Sequence, residues 1–128
     1  MAYRRDSDSE IQRACRLDLR YPKAVTGFPT VVWFHGGGLV NGYRHFIPIS
    51  NSRIAQVAVG YRLMKKENAV RGEDCIRDAA AAVAWTLKNI ARFGGDPKKV
   101  YVSGMSAGGY LTMMVGMMQG SVTYQMRR

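Results

Sequence analysis

The feature that most constrains the fold is a glycine-flanked serine between a β-like run and a helix-like run. In the stretch VYVSGMSAGGYL, residues 100–111, Gly104 and Gly108 stand two positions on either side of Ser106. A strand that turns directly into a helix forces its corner residue into a strained backbone conformation and lifts that side chain clear of the sheet. The residues two positions away must be small, because their Cβ atoms would collide with the adjacent strand and helix. The spacing therefore predicts a sharp strand-to-helix bend at Ser106.

The rest of the sequence alternates strand-like and helix-like segments, which favours an α/β fold with a mostly parallel sheet flanked by helices. Alternating or β-branched residues predict strands at 14–20, 30–34, about 54–61 and 99–103. Because TVVWF at 30–34 is apolar on consecutive positions, we expect that strand to be buried on both faces, and 99–103 to be a further buried strand. The segment 39–53 fits either a loop or a short helix.

Two helices are predicted, one before and one after the last strand. Residues 73–93 carry an apolar stripe at three- and four-residue steps, with Glu73 and Asp74 in the first turn, where they oppose the helix dipole. The second helix follows the serine. Its apolar stripe, most simply core filling, consists of Leu111, Met114, Val115 and Met118.

A second glycine-rich motif, His35-Gly36-Gly37-Gly38, follows the predicted strand 30–34. Glycines let backbone N–H groups approach a substrate carbonyl without obstruction by a Cβ atom. The N–H groups just beyond Ser106 are also unpaired, because they open a helix, and each such donor stabilises a developing oxyanion by about 2.7–4 kcal/mol. Alone, HGGG also fits a flexible loop. Together with the downstream bend it indicates nucleophilic attack by a serine on a carbonyl group.

These motifs and their order resemble the α/β-hydrolase superfamily. The blocks that carry the resemblance are TVVWFHGGGL, VAVGYRL and DAAAAVAWTLKNIARFGGDPKKVYVSGMSAGGYL. They are most similar to the HGGG-bearing esterase and lipase branch, with its carboxylesterases and feruloyl- or acetyl-esterase-like enzymes. The resemblance covers about residues 14–116 and corresponds to the N-terminal portion of such an enzyme. After Tyr61-Arg62-Leu63 relatives commonly continue towards a proline, whereas this chain has Met64-Lys65-Lys66.

The resemblance implies a role for each motif residue. Ser106 corresponds to the nucleophile, and the N–H groups of Gly37, Gly38 and Ala107 correspond to the oxyanion hole. His35 corresponds to a histidine that braces the loop rather than to the catalytic base. The residues expected to shape the two motifs are Gly36, Gly104 and Gly108. The resemblance implies a small ester as substrate and neither a metal nor an organic cofactor.

The acid and the base of a catalytic triad are missing from the expected places. In this fold the order along the chain is Ser, then Asp or Glu, then His, yet no Asp, Glu or His follows Ser106. His45 could reach the site, but its chain position is wrong for the base. We therefore expect residues 1–128 to form one incomplete α/β-hydrolase domain without its C-terminal half, weak or inactive alone. The cut would expose a sheet edge through which the chain could self-associate.

Three other interpretations stay open. A non-catalytic fragment that needs a partner chain to fold would equally lack the acid and the histidine. A basic nucleic-acid-binding module would explain 19 Lys and Arg against 9 Asp and Glu, but the basic residues are scattered from Arg4 to Arg128, as on a solvated surface. A dinucleotide-binding G-x-G-x-x-G is disfavoured, because Ser106 replaces its second glycine.

The remaining composition sets the expected environment. No apolar run approaches the length that spans a bilayer, and the N-terminal residues do not resemble a signal peptide, so we expect a cytoplasmic chain. Cys15 and Cys75 fit neither a metal site nor a redox motif, and we expect two reduced cysteines.

Overall fold

The structure is a computed structural model that describes residues 1–117. Its four strands form one sheet in the order β1-β3-β2-β4, where β2, β3 and β4 are parallel and β1 pairs antiparallel with β3. The strands are β1 (Leu17–Arg20), β2 (Phe28–Phe34), β3 (Ala55–Val59) and β4 (Gly95–Gly104). The predicted α/β fold with a mostly parallel sheet is confirmed.

Three helices accompany the sheet: α1 (Ser9–Ala14), α2 (Gly72–Asn89) and α3 (Ala107–Met117). The helix predicted at 73–93 is α2 followed by a 3₁₀ turn, Ile90–Phe93, and Gly94 ends that turn with a φ of 99°. Met118, placed in the second helix by its apolar stripe, lies outside the described residues, as do residues 119–128. Within the described part of the chain, no helix is long and apolar enough to cross a membrane.

One predicted boundary is wrong, and one alternative that the sequence left open is resolved. The strand predicted at 14–20 begins only at Leu17, because the preceding residues form α1, whose first N–H groups are capped by the Asp8 carboxylate. Residues 39–53 contain turns and bends but no helix. Leu39 (φ 66°) and Gly42 (φ 105°), at the start of that region, have left-handed backbone, which does not fit a right-handed helix.

The core lies where α2 and α3 pack against the sheet. On β2, Val32 and Phe34 are fully buried in the main apolar cluster together with Leu111 of α3. All five residues of β3 are buried, as expected for a central strand. The glycine loop and the serine bend leave the carboxyl ends of β2 and β4, which are neighbours in the sheet.

The burial predicted for β4 and for β2 is wrong, and the surroundings of each strand explain why. β4 pairs only with β2 among the described residues and stands at the edge of the sheet, so Val100 and Val102 are half-buried and Tyr101 is 60% exposed. β2 is buried on one face only. On its other face Trp33 is half-buried, because irregular chain, including the ring of His45 at 6.4 Å, covers it instead of a helix.

Candidate active site

Ser106 stands at a two-residue bend between β4 and α3. β4 ends at Gly104 and α3 begins at Ala107, while Ser106 adopts a left-handed conformation with φ at 55°. This conformation costs a residue with a Cβ atom about 1–3 kcal/mol, so the surrounding structure must impose it. The Ser106 side chain is exposed, and its carbonyl accepts a hydrogen bond from the N–H of Tyr110 at 3.0 Å.

The glycines around the serine stand where no side chain fits. A Cβ atom on Gly104 would lie 2.3 Å from the carbonyl carbon of Gly108. A Cβ atom on Gly108 would lie 1.9 Å from the carbonyl oxygen of Phe34 on β2. Both distances are far below any real Cβ contact, and both opposing groups are backbone. The strand, the bend and the helix therefore meet at this distance only because the two positions are glycine.

The triple-glycine loop lies directly beside the bend. A Cβ atom on Gly36 would be 3.0 Å from the Met105 carbonyl oxygen and 3.6 Å from the Cβ atom of Ser106. This proximity follows from the sheet, because Phe34 and Gly104 are register partners at the ends of parallel neighbours. The structure thus brings together the two motifs that are 70 positions apart in the sequence.

The loop leaves amide hydrogens available near the serine. Gly37 and Gly38 have φ values of 126° and 66°, and the Gly37 carbonyl accepts from the N–H groups of Val40 and Asn41 at 3.1 and 3.0 Å. Within residues 1–117 the N–H groups of Gly37 and Gly38 donate no hydrogen bond. The N–H of Ala107 opens α3 and has no acceptor one turn earlier in that helix. These are the three donors that the family resemblance implies for an oxyanion hole.

His35 lies beneath the loop. Its ring is buried and stacks on Tyr61 with centroids 4.4 Å apart, and its Nδ1 is 2.8 Å from the Gly36 carbonyl oxygen. The Tyr61 hydroxyl donates to the His35 carbonyl at 2.7 Å. Burial lowers the pKa of His35, and the nearby His45 acts in the same direction, while the hydrogen bond to Gly36 opposes them. Burial also raises the pKa of Tyr61. A neutral, stacked histidine in this place suits a bracing role.

Two sets of contacts behind the loop were not found by sequence reasoning. In the first, the Met64 N–H donates to the Leu39 carbonyl at 2.7 Å, and the Lys65 ammonium donates to the Val40 carbonyl and lies 3.4 Å from Asn41 Oδ1. Met64 and Lys65 therefore hold the far end of the glycine loop.

The second set centres on Asp78, which is fully buried in α2. Its two oxygens accept from Arg62 Nε and Nη2, both at 2.9 Å, and from the Arg62 N–H, while Arg4 Nη1 donates to Oδ1 at 2.7 Å. This network fastens the chain that follows β3, and so Tyr61, to α2. A charged residue inside the apolar run CIRDAAAAVA is the signal that could have revealed it.

No acid or base accompanies the serine in the described part of the chain. His45 is exposed, and its Nδ1 lies 3.2 Å from the Phe46 carbonyl oxygen. No hydrogen bond or ring contact joins His45 to Ser106. Residues 1–117 also contain no group of three or more His, Cys, Asp or Glu side chains that could hold a metal ion. Within residues 1–117 the arrangement offers an exposed hydroxyl and amide donors, and no side chain is hydrogen-bonded to that hydroxyl.

Comparison with known proteins gives consistent matches to esterases. The BD-FAE family model matches residues 17–127. A probable isoprenylcysteine alpha-carbonyl methylesterase of Oryza sativa subsp. japonica is 33% identical over 99 residues, which make up 75% of this chain and 23% of that protein. The liver carboxylesterase of Sus scrofa is 40% identical over 91 residues, which make up 63% of this chain and 16% of that protein.

Solved structures give the same result. A thermophilic esterase of Thermogutta terrifontis with propionate bound matches with a TM-score of 0.63 and 29% identity, over 75% of this chain and 38% of that one. Esterase 2 of the same organism, phosphorylated by paraoxon, matches with a TM-score of 0.63 and 27% identity. The chain thus spans less than a quarter of these curated relatives and about two-fifths of these structural neighbours.

Proposed function

The chain belongs to the BD-FAE family, and on that basis we propose that it is the nucleophile-bearing part of a serine carboxylic-ester hydrolase. The observation that carries the proposal is the contact between two motifs distant in sequence. An exposed serine in a strained bend lies against a glycine loop whose amide hydrogens are unpaired. Acyl transfer needs the nucleophile and the amide donors next to each other, because the oxyanion forms one bond away from the attacked carbonyl carbon.

In the proposed reaction the Ser106 oxygen attacks the ester carbonyl carbon, and the hydroxyl proton passes to a general base. The carbonyl oxygen becomes an oxyanion held by the N–H groups of Gly37, Gly38 and Ala107. Collapse of this intermediate expels the alcohol, which takes up the proton, and leaves an acyl-enzyme. Water then attacks the same carbonyl carbon, and the carboxylic acid and the free serine are released.

The general base and its acid partner are proposed to come from polypeptide outside residues 1–128. No Asp, Glu or His follows Ser106, and no hydrogen bond joins His45 to Ser106 in the described part of the chain. Losing a whole triad costs about 10⁶ in kcat, whereas oxyanion stabilisation and binding retain roughly 10³–10⁴ over water. We therefore expect the chain alone to turn over only activated esters, and slowly. Coding DNA beyond codon 128 that carries an Asp or Glu and a His in hydrolase context would support this proposal.

The substrate is proposed to be a small carboxylic ester. The similar solved structures were determined with propionate and with butyrate bound, and the rice relative is named as a methylesterase. The paraoxon-phosphorylated neighbour supports an organophosphorus probe as a test of the nucleophile.

The test is p-nitrophenyl acetate hydrolysis together with labelling by a fluorophosphonate probe, each for the parent chain and for Ser106→Ala. Ser103→Ala is the matched control, because Ser103 is an exposed serine three residues earlier on β4. We expect Ser106→Ala to abolish both signals and Ser103→Ala to keep them. Hydrolysis or labelling that survives in Ser106→Ala would reject Ser106 as the nucleophile.

A second candidate function is a non-catalytic fragment, which the missing acid and histidine favour. It predicts that the parent chain shows neither hydrolysis nor labelling above the Ser106→Ala background, even when correctly folded.

A further inference from the structure

A second concave surface lies away from the serine, where the N-terminal segment approaches α2 and the 3₁₀ turn that follows it. It is a cavity of about 610 Å³, and none of its lining residues belongs to the glycine loop or the bend. Its cationic lining residues are Arg4, Arg5, Lys88 and Arg92, and no acidic residue is among the described residues that line it. We propose that this basic cleft binds a phosphate-bearing ligand.

The fold gathers charges that the sequence scatters. Arg4 and Arg5 precede Lys88 and Arg92 by more than 80 positions, so no basic run marks the site in the sequence. Scattered charge is typical of a solvated surface, but four cations around one cavity concentrate positive potential, because low-dielectric walls focus the field. The cleft is therefore an exception to the evenly dispersed surface charge that the sequence predicts.

One wall of the cleft is held rigidly. The Leu17 N–H donates to the Met1 carbonyl at 2.8 Å, and the Tyr3 N–H donates to the Cys15 carbonyl at 3.2 Å. The Tyr3 hydroxyl is anchored deeper, on the Gly60 carbonyl at 2.6 Å. Met1 and Tyr3, which precede Arg4, are thus fixed to the body of the protein. A fixed wall lowers the ordering cost of binding.

Arg4 is the innermost cation of the cleft, and carboxylates hold it in place. Its side chain is 13% exposed, contacts Asp78 at 2.7 Å and lies 4.0 Å from Asp6. Arg5 and Arg92 are exposed residues of the lining, so these two cations would meet a ligand directly.

A phosphate group fits this chemistry better than a carboxylate does. Guanidinium groups present paired N–H donors that match the oxygens of a phosphate, and several cations around one cavity favour an anion of more than one charge. Trp85 and Asn89 complete the α2 side of the cleft. The phosphate can belong to a free phosphate compound or to a lipid headgroup, and the experiment distinguishes these sources.

The test measures pyrophosphate binding to the whole chain by isothermal titration calorimetry, in the parent and in two double variants. Arg5→Gln/Arg92→Gln removes two exposed cations from the cleft. Arg53→Gln/Lys66→Gln removes two exposed cations that do not line it, so both variants lose the same net charge. We expect the cleft variant to weaken Kd by about 10- to 100-fold, since each charge-assisted hydrogen bond contributes about tenfold. The control should change Kd less than about twofold, because distant exposed charges are screened.

A second arm measures co-sedimentation with phosphatidylcholine vesicles that do or do not contain phosphatidic acid. Loss of pyrophosphate binding in the cleft variant alone supports a site for free phosphate compounds. Vesicle binding that needs phosphatidic acid and is lost only in the cleft variant, without pyrophosphate binding, supports a headgroup site. Equal weakening in both double variants, or no saturable binding in either arm, overturns the proposal. None of the four residues lies in the serine site, so the outcome is independent of the proposed esterase function.

Discussion

The contact between Gly108 and β2 allows the packing at the bend to be tested by adding one methyl group. In Gly108→Ala the new Cβ atom would lie 1.9 Å from the Phe34 carbonyl oxygen, 2.6 Å from its carbonyl carbon and 2.9 Å from the His35 carbonyl oxygen. Ordinary contacts begin at 3.4 Å, so α3 and β2 would have to separate by about 1.5 Å. A rotamer change cannot relieve the clash, because all three opposing atoms are backbone.

We expect Gly108→Ala to lower the free energy of unfolding by about 3 kcal/mol, at the upper end of what overpacking usually costs. Gly109→Ala is the matched control. Its Cβ atom would lie 3.6 Å from the Gly104 carbonyl oxygen, an ordinary contact, and alanine favours a helix over glycine by about 0.5–1 kcal/mol. The control should therefore be neutral or slightly more stable than the parent.

Urea unfolding followed by far-UV circular dichroism measures both variants. With an m-value of about 2 kcal/mol per M, the Gly108→Ala midpoint should fall by about 1.5 M, while the Gly109→Ala midpoint should stay or rise. If the two variants unfold at the same urea concentration, the close approach of helix and strand is wrong, and with it the argument that glycine spacing builds the bend.

Three further predictions concern the groups that hold the glycine loop from behind. Asp78→Asn should lower the free energy of unfolding by about 3–5 kcal/mol, because it leaves two guanidinium groups without their shared carboxylate. The control Asp74→Asn changes a 20% exposed side chain and should lower it by less than about 1 kcal/mol. If chemical denaturation gives similar losses of unfolding free energy for both variants, this prediction is wrong. Burial lowers the pKa of His35 below its ordinary 6.5, so unfolding takes up a proton at low pH, and stability should decrease as the pH falls from about 6.5 through the folded pKa. His35→Gln should reduce the dependence of stability on pH in this range, and an unchanged dependence would contradict the burial of the His35 ring. Tyr61→Phe keeps the stacked ring but leaves the His35 carbonyl without its donor, so the free energy of unfolding should fall by about 1–3 kcal/mol. Thermal unfolding measures this loss, and an unchanged melting temperature would exclude the hydrogen bond.

The bend and the glycine loop were predictable because their requirements are local. Glycine two positions on either side of Ser106 expresses a steric demand of the turn itself, and the structure contains that turn. The apolar periodicity of α2 likewise depends on neighbours three and four residues away. The order of these elements was then enough to predict a parallel sheet, which is the part of the fold that the comparisons also support.

The features that sequence reasoning missed depend on partners far along the chain. The burial of β4 is set by how many strands flank it, which its own residues do not encode. Arg4 meets Asp78 across 74 positions, and Lys65 meets Val40 across 25, so neither contact leaves a periodic trace. The six-residue helix α1 was missed because its capping aspartate is a weaker signal than a long apolar stripe.

The pairing of β2 with β4 determines when, during folding, Ser106 and the amide donors of the glycine loop come together. Thr30 and Val100 are register partners, so joining these strands closes a loop of about 70 residues, and this entropy alone costs about 4 kcal/mol. Both motifs lie just past that junction. In chains whose β2 and β4 have not yet paired, Ser106 and the amide donors are apart. If Ser106 is the nucleophile, as proposed, its labelling by a fluorophosphonate probe after dilution from urea should increase at the rate at which β2 and β4 pair.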